Sequence, residues 1–140
     1  MNSKRNGIPD GFHTATPYVI VKDADSALTF YQKAFGAAEF SRFVDNEGRV
    51  RNLEVMIGDS PVMIGIHPEI GETEDQPVGS LPRLSVYLYV EDADSVFRQA
   101  VDAGATPLYA PQDQDYGNRE GGIKDPFGVT WWIATSLHHT

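Results

Sequence analysis

The block Tyr18-Val19-Ile20-Val21-Lys22-Asp23-Ala24-Asp25-Ser26 returns later in the chain as Tyr87-Leu88-Tyr89-Val90-Glu91-Asp92-Ala93-Asp94-Ser95, at a constant offset. Each copy then runs into an amphipathic stretch closed by Gly-Ala, at Gly36-Ala37 and Gly104-Ala105. A repeat of this kind restricts the fold to two copies of one supersecondary unit laid against each other. With 140 residues the chain has room for one compact domain made of two such modules.

Within each copy, the Tyr, Val, Ile and Leu residues before the aspartate read as a strand. Asp23 and Asp92 then stand as helix N-caps, where a carboxylate accepts the free N–H groups of the first turn. Ala24, Ala27, Leu28, Tyr31, Ala34 and Phe35 recur at three- and four-residue spacing, as do Ala93, Val96, Phe97, Ala100 and Val101. Each helix therefore has one face to bury, and Gly36 and Gly104 are placed to end it in a left-handed conformation.

Beyond the first helix, Glu39–Val44 is expected to be a strand and Asp45-Asn46-Glu47-Gly48 a hairpin turn. Arg49–Ile57 is its partner, and Gly58-Asp59-Ser60 leads into Pro61–His67. The second copy repeats the plan with Thr106–Pro111 as a strand, Gln112–Glu120 as a polar loop, and Gly121–Lys124 and Val129–Thr135 around the turn Asp125-Pro126-Phe127-Gly128. The expected class is α+β, with βαβββ modules at 12–67 and 83–136 joined by a Gly-, Glu- and Pro-rich linker at 68–82. Eight strands would form a curved cup with the two helices on its outer face.

Composition narrows the function classes. Twenty acidic against eleven basic residues give a net charge of −9, which opposes nucleic acid and anionic membrane surfaces as partners. There is no cysteine, hence no disulfide, thiolate metal site or cysteine nucleophile. The first residues lack the apolar core of a secretory signal, and no stretch approaches the ~20 apolar residues of a membrane span. A cytoplasmic protein that takes a small neutral or cationic ligand is the expectation.

Three stretches carry a family resemblance. They are Thr16–Asp23 running into Ala27-Leu28-Thr29-Phe30-Tyr31 and Ala34-Phe35-Gly36-Ala37, then Leu88–Asp94, and the closing Asp125-Pro126-Phe127-Gly128. Over residues 12 to 136 the chain resembles the glyoxalase/bleomycin-resistance/dioxygenase (vicinal oxygen chelate) superfamily, and more narrowly its PhnB-like branch. The resemblance implies a duplicated βαβββ fold and a homodimer. It leaves the reaction open, because the superfamily includes lyases, isomerases, dioxygenases, thiol transferases and drug-sequestering proteins.

In metal-dependent members, the resemblance implies a ring of His, Glu or Gln ligands. The matching positions here are Thr16, Ser85 and Trp132, with Glu54 as the one plausible carboxylate. A single carboxylate does not make a catalytic divalent site, which uses at least three protein ligands. Of the four histidines, His13 precedes the first strand, His67 ends the fourth, and His138 and His139 lie in a terminal tail. The expectation is no cofactor.

Strand alternation assigns faces. Leu53, Val55 and Ile57 suit the helix-covered face, which turns Asn52, Glu54 and Met56 to the cup. Ser85, Tyr87 and Tyr89 turn inward likewise, and the repeat transfers this to Thr16, Tyr18 and Ile20. Thr130, Trp132 and Ala134 share the side of the replaced ligand. The expected ligand-binding set is Tyr18, Asn52, Glu54, Met56, Tyr87, Tyr89, Arg119 and Trp132, an aromatic box with carboxylate character that attracts planar rings and cations.

Alternatives stay open at this point. The aromatic residues equally suit packing between sheets or a dimer interface, and Glu54 equally suits an ion pair with Arg49 or Arg51. The loop Asp113–Arg119 resembles the Tyr-Gly-x-Arg loop of the PhnB-like branch. Arg119 then either clamps a ligand carboxylate or ties the loop to Asp113, Asp115 or Asp125. The leading reading is non-catalytic, metal-free binding of a planar or cationic small molecule, with sequestration of a toxic compound as its purpose. The alternative is a metal-dependent lyase or isomerase that uses Glu54 as ligand or base, with His13 or His67 as partners. A partner-binding module with a cup plugged by its own side chains is the third.

Overall fold

The computed structural model describes residues 7–69 and 84–137. His138, His139 and the expected linker from residue 70 onward lie outside them. The elements run β1 (Tyr18–Val21), α1 (Ala24–Phe35), β2 (Ala38–Val44), β3 (Val50–Ile57), β4 (Ser60–Ile66), β5 (Val86–Tyr89), α2 (Ala93–Ala103), β6 (Thr106–Asp113), β7 (Asn118–Lys124) and β8 (Thr130–Ser136). They form two four-stranded mixed sheets, ordered β1-β4-β3-β2 and β5-β8-β7-β6, in place of a closed barrel. In each sheet the first strand pairs in parallel with the last, β1 with β4 and β5 with β8, and the remaining pairs are antiparallel. This is the βαβββ unit twice over.

The chain divides into two compact units, Met1–Gln32 with Gly36–Glu69, and Lys33–Phe35 with Ile70–Thr140. Both helices start on the expected caps. The Asp23 carboxylate accepts the Ser26 N–H at 2.8 Å, and Asp92 accepts that of Ser95 at 3.2 Å. Gly36 closes α1 in the left-handed region at φ 68°, whereas Gly104 closes α2 at φ 123°, outside it. That second conformation is one that residues with a Cβ rarely adopt.

In the first unit, α1 buries Ala27, Phe30 and Tyr31, and β3 buries Leu53, Val55 and Ile57 while Asn52, Glu54 and Met56 stay half-exposed. In the second, α2 packs over β6, β7 and β8, whose covered face holds Ile123, Trp131 and Ile133. The Trp131 indole N–H donates to the buried Asp125 carboxylate at 2.9 Å, and that carboxylate also accepts the N–H groups of Phe127 and Val129. The turn between β7 and β8 is thereby fastened to the core. The Thr135 hydroxyl bridges the Val90 carbonyl and the Ala93 N–H, which fixes the start of α2 against β8.

One expected loop is largely strand. The polar composition of Gln112–Glu120 predicts a loop, but Gln112 pairs with Glu120 and Asp113 with Arg119, leaving only Gln114–Gly117 as the turn. The pairing is possible because Gly117 turns the chain at φ 96°. Two register shifts, between Pro107 and Tyr109 and between Tyr109 and Gln112, re-phase β6 on the way.

Close approach of β6 to β7 depends on Gly121. A Cβ there would stand 2.9 Å from the backbone nitrogen of Pro111. Gly121→Ala is expected to cost about 1–3 kcal/mol by overpacking against main chain that no rotamer change relieves. Urea unfolding measures this, and an unchanged midpoint would show that β6 yields freely.

Candidate functional site

The uncovered face of the second sheet is built by alternation. Tyr87 and Tyr89 of β5, Trp132 of β8, and Asn118, Glu120 and Gly122 of β7 fall on it. The registers Tyr87↔Trp132, Trp132↔Gly122 and Glu120↔Ala134 set them side by side. The shifts in β6 bring Tyr109 opposite Gly122 and so onto the same face. Gly122 is the floor beneath the rings. A Cβ at this position would lie 3.1 Å from both the Trp132 and the Tyr109 rings, whose centroids are 6.1 Å apart and tilted by 33°.

Glu120 is the centre of this face and is only 5% exposed. Its Oε1 accepts the Tyr87 hydroxyl at 2.5 Å and the Tyr116 hydroxyl at 2.7 Å, and its Oε2 accepts the Tyr109 hydroxyl. Asn118 Nδ2 donates to the Tyr87 hydroxyl at 2.9 Å and to that of Tyr89 at 3.3 Å. A directed chain, amide to phenol to carboxylate, results. Burial by itself raises the pKa of Glu120, but the three phenolic donors outweigh it and hold the carboxyl below its ordinary range.

The tyrosines shift the other way. Burial first, and then the bond to Glu120, push Tyr87 up to about 12. For Tyr116 the bond to Glu120 is the main cause and the result is again about 12. Tyr109 is raised as well, by burial and then by the same carboxylate. The face therefore carries a fixed negative charge ringed by phenols that keep their protons.

Of the residues expected from sequence, Tyr87, Tyr89 and Trp132 share this face. Tyr18, Asn52, Glu54 and Met56 share the corresponding face of the first sheet, through Tyr18↔Met63, Glu54↔Met63, Asn52↔Gly65 and Met56↔Pro61. There the hydroxyl end of Tyr18 occupies the space a Cβ on Gly65 would need. Arg119 stands on neither. It points to the α2 side of β7, where Nε and Nη2 bond the Asp94 carboxylate at 2.9 and 3.2 Å and Nη1 bonds Asp113 at 3.0 Å. His13 is exposed before β1, and His67 lies 3.2 Å from Glu69.

The metal-binding positions of the resemblance do not fit a divalent ion. Trp132 Nε1 donates to Ser85 Oγ at 2.7 Å, so two of them are bonded to each other, and an indole N–H offers no lone pair. Among the described residues, no three His, Cys, Asp or Glu side chains gather where they could hold an ion.

Fold and comparison agree on the family. The chain belongs to the Glyoxalase/Bleomycin resistance protein/Dioxygenase superfamily, whose family model matches residues 12–133. The uncharacterized protein Rv0887c of Mycobacterium tuberculosis is 36% identical over 123 residues, which are 85% of this chain and 72% of that protein. Among solved structures, TioX from Micromonospora sp. ML1 superposes with a TM-score of 0.67 at 22% identity, over 91% of this chain and 99% of that one. A bleomycin-binding protein complexed with bleomycin superposes with a TM-score of 0.61 at 22% identity, over 89% and 98%. At such identities the two structures speak for the fold alone. None of the described helices is long and apolar enough to cross a membrane.

Proposed function

We propose that this chain is a small-molecule-binding protein of the PhnB-like branch, working without a metal, that holds a planar compound on the aromatic face of its second sheet. The observation that carries this reading is Glu120, a buried carboxylate that gathers three tyrosine hydroxyls beneath an open aromatic surface. Offset aromatic stacking supplies the attraction and Gly122 the depth. A neighbour in fold is a bleomycin-binding protein complexed with bleomycin, which supports capture of a small molecule as a role for such a face.

Proton-transfer catalysis by Glu120 fits less well. A carboxylate that accepts three hydrogen bonds and titrates below its ordinary range is a weak base at neutral pH. The donors around it are phenols whose protons are held more tightly than usual. Such a group anchors and polarises.

Titration with bleomycin and with simple planar aromatics, followed by tryptophan fluorescence and calorimetry, tests the proposal. Binding is expected to weaken about tenfold in Trp132→Ala, the loss of one stacking partner. An affinity that is the same with and without Trp132 would move the site elsewhere, and no binding by any planar compound would end the reading.

A further inference from the structure

The aromatic face offers more than area, because its polar groups point almost all one way. The hydroxyl protons of Tyr87, Tyr109 and Tyr116 are spent on Glu120, and the Trp132 N–H is spent on Ser85. What remains toward solvent is phenolic oxygen, π surface, the hydroxyl of the exposed Tyr89 and the charge behind them. Of the basic residues on β7, Arg119 is turned away from this face and is bound by Asp94 and Asp113 on the α2 side. Lys124 shares the face by alternation but stands at the other end of β7 from Asn118, paired across to Thr130 and Thr106.

The three hydroxyls on Glu120 are not equivalent. Tyr87 and Tyr109 extend from paired strands, whereas Tyr116 sits on the Gln114–Gly117 turn and is 57% exposed. The turn backbone is pinned, with Gln114 N–H on the Asn118 carbonyl at 2.8 Å and Leu137 N–H on the Gly117 carbonyl at 2.9 Å. Rotation of the side chain alone therefore suffices to release the phenol, which leaves Tyr87 as the remaining donor to Glu120 Oε1.

Resting on the binding reading above, we infer that the ligand is an aromatic cation with N–H donors, a primary ammonium or an amidinium or guanidinium. Its N–H replaces the Tyr116 hydroxyl on Glu120, while its ring stacks on Trp132 and Tyr109. Two forces favour the exchange. A charged donor to a carboxylate makes a stronger bond than a neutral phenol does, and the released phenol ring is free to close over the cation. The same charge repels carboxylates and phosphonates, so anionic ligands are excluded from this face.

A matched series of probes tests this: naphthylmethylammonium, its N-trimethyl analogue, naphthylmethanol and naphthoate, titrated against the full chain. The ammonium is expected to bind at least about tenfold tighter than the alcohol, the trimethyl analogue to fall between them, and naphthoate to be weakest. In Glu120→Gln, the ammonium and the alcohol should converge to within about twofold. In Tyr116→Phe, which removes only the competing hydroxyl of an exposed residue, the ammonium should tighten about threefold and the alcohol stay unchanged.

An ammonium that binds no better than the alcohol, or that keeps its advantage in Glu120→Gln, overturns the cation site while leaving the aromatic face intact. A trimethyl analogue as tight as the ammonium, or an unaltered Tyr116→Phe, overturns the exchange at Tyr116. Failure of all four probes to bind overturns the binding reading itself.

Discussion

Replacing Trp131 with alanine is expected to lower the unfolding free energy by about 3–5 kcal/mol, the range for removing a large aromatic side chain from a close-packed core. Trp131 is 0% exposed, and its neighbours on the covered face, Ile123 and Ile133, are equally buried. The indole N–H is also a donor to Asp125, whose carboxylate accepts two backbone N–H groups besides. Trp131→Phe separates the two contributions. It retains most of the ring volume and removes the N–H, for an expected loss of about 1–2 kcal/mol. Guanidinium unfolding provides the measurement, and a loss under about 1 kcal/mol in the alanine variant would remove Trp131 from the core.

The second large effect is spectroscopic. At pH 11 an ordinary tyrosine with its pKa near 10 is about 90% ionised. Tyr87 and Tyr116, at about 12, are expected to be only about 10% ionised at that pH. In Glu120→Gln the two should separate. Tyr116 owes its shift first to the carboxylate and should return close to 10, whereas Tyr87 owes its shift first to burial and should stay higher. Tyrosine-selective carbon NMR across an alkaline titration resolves the two. Equal pKa values near 10 in the wild type would mean that the cluster does not exist in solution.

The signs of the linked stability follow from these directions. Glu120 titrates lower in the folded chain than in the unfolded one. Its contribution is therefore present above the unfolded carboxyl value, about 4.3, and is lost as pH falls through the folded value. The tyrosines titrate higher when folded. Theirs is complete below about 10 and is lost as pH rises through about 12. Between those limits the cluster is intact, so the cation preference should be flat across neutral pH.

Most of the architecture was legible because it rests on local chemistry. The repeated Asp-Ala-Asp-Ser block states the two helix caps directly, and the three- and four-residue apolar spacing states the helix faces. Alternation in β3 and β8 was also sufficient. It put Leu53, Val55 and Ile57 on the buried side, and it separated Trp132 from its covered neighbour Trp131. The centre of the candidate site was harder to read. Glu120 falls in a stretch so polar that it resembles a loop, and only the continued alternation Asn118, Glu120, Gly122 marks it as strand.

Tyr109 was hidden for another reason. Its place opposite Gly122 depends on two irregularities in β6, and a residue count cannot anticipate a bulge. Arg119 was legible as charge but not as direction. One step along β7 from Glu120, it belongs to the opposite side of the sheet, where Asp94 at the start of α2 receives it. The candidate site is thus made of residues whose identity was plain and whose facing was set by pairing.

Gly122 gives this arrangement an evolutionary handle. The two rings that meet above it lie close to the strand because no methyl group stands there. A single base change that supplies a methyl group there requires both rings to give by a few tenths of an ångström, while every other side chain of the face stays the same. The seating of the two rings can therefore be reset through a position that carries no ring itself.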